Sequence, residues 1–313
     1  MIIGEWTIDA ARLWPGEAAW EGPIAFVDLD AAGEIPATIA LPACPVIGLG
    51  DPAHPLAAEL DAVVEPPVGA DLLARQIMAT PQAAAVVVQL LRMVVDLPAE
   101  QGLAAESLAY AVLQGSAEHL AWRAAQQPVA PRTPGRLAVE RDGARLLLTL
   151  DHPESGNAID RTMRDALYEA FSLAALDTEI AAIELGANGK AFSLGAELGE
   201  FGTTNDPATA HAIRRSTLPA HPASRCADRL EARVQGACVG AGLELAAWAR
   251  HITASREAWF QLPELAMGIL PGAGGCVSLS RRIGRQRTAL MILSGKRISA
   301  AQALGWGLVD EIA

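Results

Sequence analysis

Gln235-Gly236-Ala237-Cys238-Val239-Gly240-Ala241-Gly242-Leu243-Glu244-Leu245-Ala246 runs from a short apolar strand, through a loop of small residues, into an apolar helical segment. Small residues at such a turn let a ligand approach the backbone closely. The first amides of a helix have no partner inside it and carry the positive end of its dipole, so the turn has the makings of an anion or oxyanion site. The same residues also serve plain packing, and the pattern alone leaves both readings open. Glu244 stands among Leu243, Leu245 and Ala246. A carboxyl in such surroundings keeps a raised pKa and trades protons near neutrality, unless it reaches solvent or caps an amide.

Outward from this stretch, a second acid has the same character. Glu264 lies between Pro263 and Leu265 in Phe260-Gln261-Leu262-Pro263-Glu264-Leu265-Ala266-Met267-Gly268. Upstream, the strand Ala181–Leu185 leads into Gly189-Lys190-Ala191-Phe192-Ser193-Leu194-Gly195-Ala196-Glu197-Leu198. Its Gly195-Ala196 turn offers a second amide to converge with the first. Leu137–Arg141 and Arg145–Leu150 flank Asp142-Gly143 as a hairpin. Ala158–Ala175 reads as a helix with Ile159, Met163, Leu167, Phe171 and Ala174 on one face, its start capped by Asp160 or Asn157. Gly199–Ala223 reads as polar and irregular. Short strands alternating with helices predict an α/β fold.

At 313 residues, 51% of them hydrophobic, the chain suffices for one large or two moderate domains. Acids outnumber bases 36 to 24, and residues 1–130 hold 16 of the acids against four arginines, leaving the remainder balanced at 20 of each. Such a balance excludes the basic face of a nucleic-acid binder. In the acidic block, Ile24–Asp30 and Ala37–Leu49 read as strands. Helices are predicted from Ala70, over Pro81–Val95, and over Leu103–Ala125 with a stripe of Leu103, Leu108, Val112, Leu113 and Leu120. Gln127–Gly135, with three prolines, reads as the linker. Cys44, Cys226, Cys238 and Cys276 have no metal-ligand spacing and are expected to be free thiols in a reducing compartment. No basic-then-apolar leader opens the sequence, and Ala83–Val95 is too short to span a bilayer. The expectation is a soluble cytoplasmic protein with no membrane contact.

Gln235–Ala246, Phe260–Glu264 and Gly268-Ile269-Leu270-Pro271-Gly272-Ala273-Gly274-Gly275, together with Lys190–Leu198, Asn157-Ala158 and Leu293-Ser294-Gly295 through Gly307-Leu308-Val309, strongly resemble the enoyl-CoA hydratase/isomerase (crotonase) superfamily. The resemblance covers residues 136–313. It implies a spiral of ββα repeats in which a CoA thioester binds between two backbone amides, those of Ala196 and Ala241. By the same resemblance Glu244 holds and activates water, Glu264 exchanges the α proton and the Gly272 amide helps position the water. Leu194 and Leu198 lie where the backbone carries adenine, and Gly240 belongs to the acyl-CoA-binding loop. Family isomerases commonly keep only the second acid. Retention of both favours reversible hydration of a 2-enoyl-CoA over isomerisation or another enolate reaction (hydrolysis, decarboxylation, cofactor-free oxygenation), and over a non-catalytic acyl-CoA-binding subunit. The implied enzyme needs no metal or redox cofactor beyond coenzyme A in the substrate, and it assembles as a homo-oligomer, a trimer or hexamer.

The sequence departs from the family pattern in several places. Gly156 replaces a basic residue before Asn157, Ala241 replaces a glycine, and Glu231 and Arg233 put charges in a strand that is usually apolar. The chain stops at Ala313, before the family's closing helices. Residues 60–123 resemble those helices. The expected organisation is therefore a degenerate block at 1–130, a linker at 131–135 and a core at 136–313, with the early helices capping the site. Six cations between Leu265 and Val309 (Arg281, Arg282, Arg285, Arg287, Lys296, Arg297) are either a nucleotide attractor or a solvated helix face or subunit contact.

Overall fold

The structure, a computed structural model, describes residues 3–17, 20–33, 35–127 and 132–313. The first block opens with four short parallel strands in order β1 (Thr7–Ile8), β2 (Ala25–Asp28), β3 (Val46–Leu49) and β4 (Ala62–Val63). Residues 37–45 stay outside the sheet, where Pro42 and Pro45 lack the amide that a ladder needs. Four helices follow: α1 (Ala70–Ala79), α2 (Pro81–Val94), α3 (Ala99–Gln114) and α4 (Ala117–Ala124). Pro81 opens α2, where a missing N–H costs nothing.

The single helix expected over Leu103–Ala125 is two. Gly115 ends α3, and the Ser116 side chain accepts the His119 amide to start α4. The predicted stripe is also displaced. Leu108, Val112 and Leu120 are exposed, while Gly102, Leu103, Glu106, Ser107 and Leu113 are buried. Part of the expected linker, residues 128–131, lies outside the described residues.

In the second block β5 (Leu137–Asp142) and β6 (Arg145–Leu150) form the hairpin, with Gly143 and Ala144 at the turn. Asp160 caps α5 (Arg161–Leu176), accepting the Met163 amide, and β7 (Ala182–Ala187) follows. Residues 199–223, expected to be irregular, contain α6 (Pro207–Thr217) and the start of α7 (Ala220–Arg225). The helix signal was local: Asp206 accepts the Thr209 amide and Pro207 occupies the first turn. Then come β8 (Leu230–Val234), β9 (Ala237–Val239), α8 (Ala241–Ala246), β10 (His251–Ala254), β11 (Trp259–Gln261), α9 (Gly275–Ser294), β12 (Ile298–Ser299), α10 (Ala300–Trp306) and β13 (Glu311–Ile312). Strands β8 to β11 alternate between a six-stranded sheet, order β13-β10-β8-β7-β6-β5, and a three-stranded sheet, order β12-β11-β9. This alternation is the ββα spiral the motifs implied.

One hydrophobic core runs through both blocks, from Phe26, Leu73 and Val87 to Leu243, Val277 and Ile292. Gly102 of α3 lies so close to α9 that a Cβ there would sit 3.1 Å from Val277 Cγ2. The cations of α9 hold this junction. Arg285 pairs with buried Asp61 (3.4 Å), Arg287 pairs with Glu65 (3.1 Å) and Arg281 donates to the Leu97 carbonyl (2.8 Å). Arg282 instead pairs with Asp310, and Arg297 lies over the Trp259 ring. These arginines are thus engaged within the chain itself. Glu231 and Arg233 do not meet each other: Arg250 takes the first (2.5 Å) and Glu184 the second (2.8 Å). Among the described residues no single helix is long and apolar enough to cross a membrane; α1 and α2 reach that composition only as a pair bent by 110°, and both pack on α9.

Candidate active site

Two turns meet at the site. The Ser193 amide donates to the Ala237 carbonyl and the Val239 amide donates to the Ser193 carbonyl, which brings the Gly195-Ala196 and Gly240-Ala241 turns side by side. Both glycines take left-handed backbone angles (φ +96° and +46°). A Cβ on Gly195 would sit 3.2 Å from the Val239 carbonyl, and one on Gly240 would sit 2.6 Å from Glu264 Oε1. Neither turn has room for a side chain at those positions. Ala196 and Ala241 follow directly, and both line a cavity of about 560 Å³. Among the described residues the amides of Ala196, Ala241 and Gly272 have no backbone acceptor, so three donors are left for a ligand.

Glu244 and Glu264 line the same cavity and are 2% and 8% exposed. Glu244 Oε2 accepts the amides of Ala273 (2.7 Å) and Gly275 (2.8 Å), which fixes the carboxyl with its other oxygen uncommitted. Burial raises its pKa to about 7 against the pull of those amides. Glu264 is pushed well above the usual carboxyl range by burial and then by the neighbouring charge of Glu244. Its Oε2 is buried without a partner among the described residues, which is costly unless a ligand or water supplies one.

Of the other residues anticipated from sequence, Gly272 lines the cavity and Gly240 lies behind Glu264 rather than in the wall. Leu194 and Leu198 are exposed outside the cavity, at 50% and 46%. Gly156 also finds its reason. Its φ is +66°, a backbone conformation that a residue with a side chain adopts only under strain, and a Cβ there would press on the exposed Leu194 side chain.

Several site residues come from the first block. Tyr110, Gln114 and His119 line the cavity. The Tyr110 ring lies against Gly272, where a Cβ would be 2.2 Å from Cδ2, and burial, opposed by Arg214, raises its phenol. Glu106, 1% exposed, accepts the amides of Gly274 (2.7 Å) and Cys276 (2.9 Å). Burial and the charge of Glu244 push its carboxyl well above the ordinary range. Four successive amides, 273 to 276, are thus divided alternately between Glu244 and Glu106. The signal for Glu106 was its place on the helical face of Leu103 and Tyr110, an acid on an otherwise buried stripe. Among the described residues no cluster of three or more His, Cys, Asp or Glu is placed to hold a metal, and all four cysteines are free and buried.

This arrangement can stabilise negative charge on an oxygen set against two amides while two carboxyls exchange protons nearby. Comparison with known proteins agrees. The sequence model of the enoyl-CoA hydratase/isomerase family matches residues 140–313. The chain is 36% identical over 176 residues to 2,3-dehydroadipyl-CoA hydratase of Escherichia coli, a match covering 56% of this chain and 68% of the relative. It is 32% identical to a mevalonyl-coenzyme A hydratase of Aspergillus fumigatus, over 53% of this chain and 62%, less than two thirds, of that relative. Among solved structures, an enoyl-CoA hydratase of Mycobacterium smegmatis superposes with a TM-score of 0.51 at 33% identity, covering 56% of this chain and 69% of the other. The chain belongs to the enoyl-CoA hydratase/isomerase family, as an enzyme of the hydratase-like lyase type.

Proposed function

We propose that the protein adds water reversibly to the double bond of a 2-enoyl-CoA thioester. The thioester oxygen lies between the amides of Ala196 and Ala241, which stabilise the enolate-like charge that makes α-carbon chemistry difficult; losing one such donor costs about 2.7 to 4 kcal/mol of barrier. Glu244, ionised and fixed by two amides, takes a proton from a water held also by the Gly272 amide. The hydroxyl adds to the β carbon. Glu264, protonated because of its burial, delivers its proton to the α carbon. Atoms and charge balance without a metal or redox cofactor, so coenzyme A enters only as part of the substrate.

The observation that carries this reading is that Glu264 Oε2 is a buried acid oxygen without a partner among the described residues, in a cavity shared with Glu244 and two turn amides that have no backbone acceptor there. Retention of both glutamates supports hydration over isomerisation. The cap formed by residues 1–130 is part of the same proposal, as is descent of that block from the closing helices of a crotonase. The exposed Leu108, Val112 and Leu120 support a homo-oligomer. Loss of the conjugated-thioester absorbance of crotonyl-CoA, with the product identified as 3-hydroxybutyryl-CoA, tests the reaction. Abolition of that turnover by Glu244→Gln and Glu264→Gln is the expected result; wild-type protein without turnover on any enoyl-CoA of a chain-length series contradicts it.

A further inference from the structure

Arg214 of α6 differs from the other cations of the cavity wall. Arg164 is paired with Asp165 (2.6 Å), and Arg161 is exposed and donates to Thr203 Oγ1 (3.1 Å). The half-buried Arg214 has no carboxylate within ion-pair distance among the described residues. Its Nε donates to Ser107 Oγ (3.1 Å), Nη1 to Gln114 Oε1 (3.3 Å) and Nη2 to the Ser107 carbonyl (3.3 Å). Its guanidinium carbon lies 4.4 Å over the Tyr110 ring. Every one of these partners is neutral and belongs to α3. Three of five N–H donors are used, so two are left.

The nearby acids make no ion pair with it: the amides at the start of α9 hold Glu106 and Glu244, and Glu106 acts on Arg214 only through space. Gln114 is itself anchored to the Thr204 carbonyl (2.9 Å), so the guanidinium is fixed before any ligand arrives. A buried cation is normally paired, and a guanidinium held in place with donors to spare is suited to a carboxylate. Tyr110 bridges Arg214 to Gly272, which places the charge one ring away from the proposed water position. The side chains at the adenine positions, Leu194 and Leu198, lie outside the cavity.

We propose that Arg214 is a specificity-determining residue that binds a carboxylate at the far end of the acyl chain, so that the preferred substrates are 2-enoyl-CoA thioesters of dicarboxylic acids. The reaction part rests on the hydration reading; the binding part does not, and the experiment separates them. Calorimetry at fixed salt compares unreactive pairs of equal chain length: succinyl- with butyryl-CoA, glutaryl- with pentanoyl-CoA, and adipyl- with hexanoyl-CoA. Free CoA serves as the control for phosphate binding. For at least one length the carboxylated member is expected to bind roughly tenfold to hundredfold tighter. In Arg214→Gln that ratio falls to about threefold or less, with a smaller fall in Arg214→Lys. No preference at any length in the wild type, a preference that survives Arg214→Gln, or an equal loss of free CoA binding (the sign of a phosphate contact) overturns the proposal. Should the variants not fold, the wild-type series alone decides. A binding preference without hydration of the matching enoyl thioesters removes the hydration reading and leaves the carboxylate subsite standing.

Discussion

The two halves of the molecule reach the same four amides by different routes. Glu244 arrives from a loop and helix whose small residues announce a site, and it takes the amides of Ala273 and Gly275. Glu106 arrives from a helix some 140 residues earlier in the chain and takes those of Gly274 and Cys276. One acid leaves an oxygen for chemistry; the other spends both oxygens on the backbone. The difference teaches that a buried acid is a candidate catalyst only where part of its hydrogen-bonding capacity remains uncommitted.

The comparison is broken most severely by removing one half. A chain lacking residues 1–130 loses the partners of Arg285 and Arg287 and the wall formed by Tyr110, Gln114 and His119. It is expected to be insoluble or devoid of hydration activity; a fully active truncation, measured with crotonyl-CoA, contradicts the capping role. Next, Glu244→Gln and Glu264→Gln each remove a proton-transfer group and are expected to lower kcat by roughly 10² to 10⁴ with little change in CoA binding.

Gly272→Ala then probes contact between the halves, because its Cβ would meet the Tyr110 ring at 2.2 Å. A fall in kcat/KM of about tenfold to hundredfold is expected, with partial recovery in the Gly272→Ala/Tyr110→Ala double variant; additive losses in a double-mutant cycle contradict the contact. Glu106→Gln replaces one acceptor oxygen by a donor at a start of helix made of amides. A stability loss of about 1 to 3 kcal/mol in denaturant unfolding is expected, with a smaller effect on kcat than either catalytic substitution.

The pH dependence of stability probes one acid of the pair alone. Glu244 has a folded pKa of about 7 against an ordinary 4.5, so its contribution is fully present below about 4.5 and fades as pH rises through about 7. Unfolding midpoints are expected to fall across that window, and Glu244→Gln should flatten the slope. The rate follows the opposite sign on the same limb: kcat/KM rises as Glu244 ionises through about 7 and declines at higher pH as Glu264 loses its proton.

Much of the core was legible because its signals are local. Small residues at 195–196 and 240–242, the acids at 244 and 264, and the hairpin around Gly143 all announce themselves within a dozen residues. What escaped is tertiary. Leu108 and Val112 satisfy a helical spacing but face outward, because the buried sides of α3 carry Gly102 and Glu106 toward α9 and Ser107 toward α6 instead. Ser107 also lies opposite Arg214, more than a hundred positions away, so neither reveals its partner by periodicity. The α9 arginines likewise left a nucleotide attractor and a solvated or subunit-contact face both open, because their partners Asp61 and Glu65 stand more than two hundred positions earlier in the chain.

A crystal structure with 3-hydroxybutyryl-CoA bound tests the central claim most directly. The account expects the thioester oxygen about 2.7 to 3.1 Å from the amides of both Ala196 and Ala241, with the 3-hydroxyl between Glu244 and Glu264. A thioester carbonyl bound away from the two turns, or a 3-hydroxyl out of reach of both carboxyls, contradicts it.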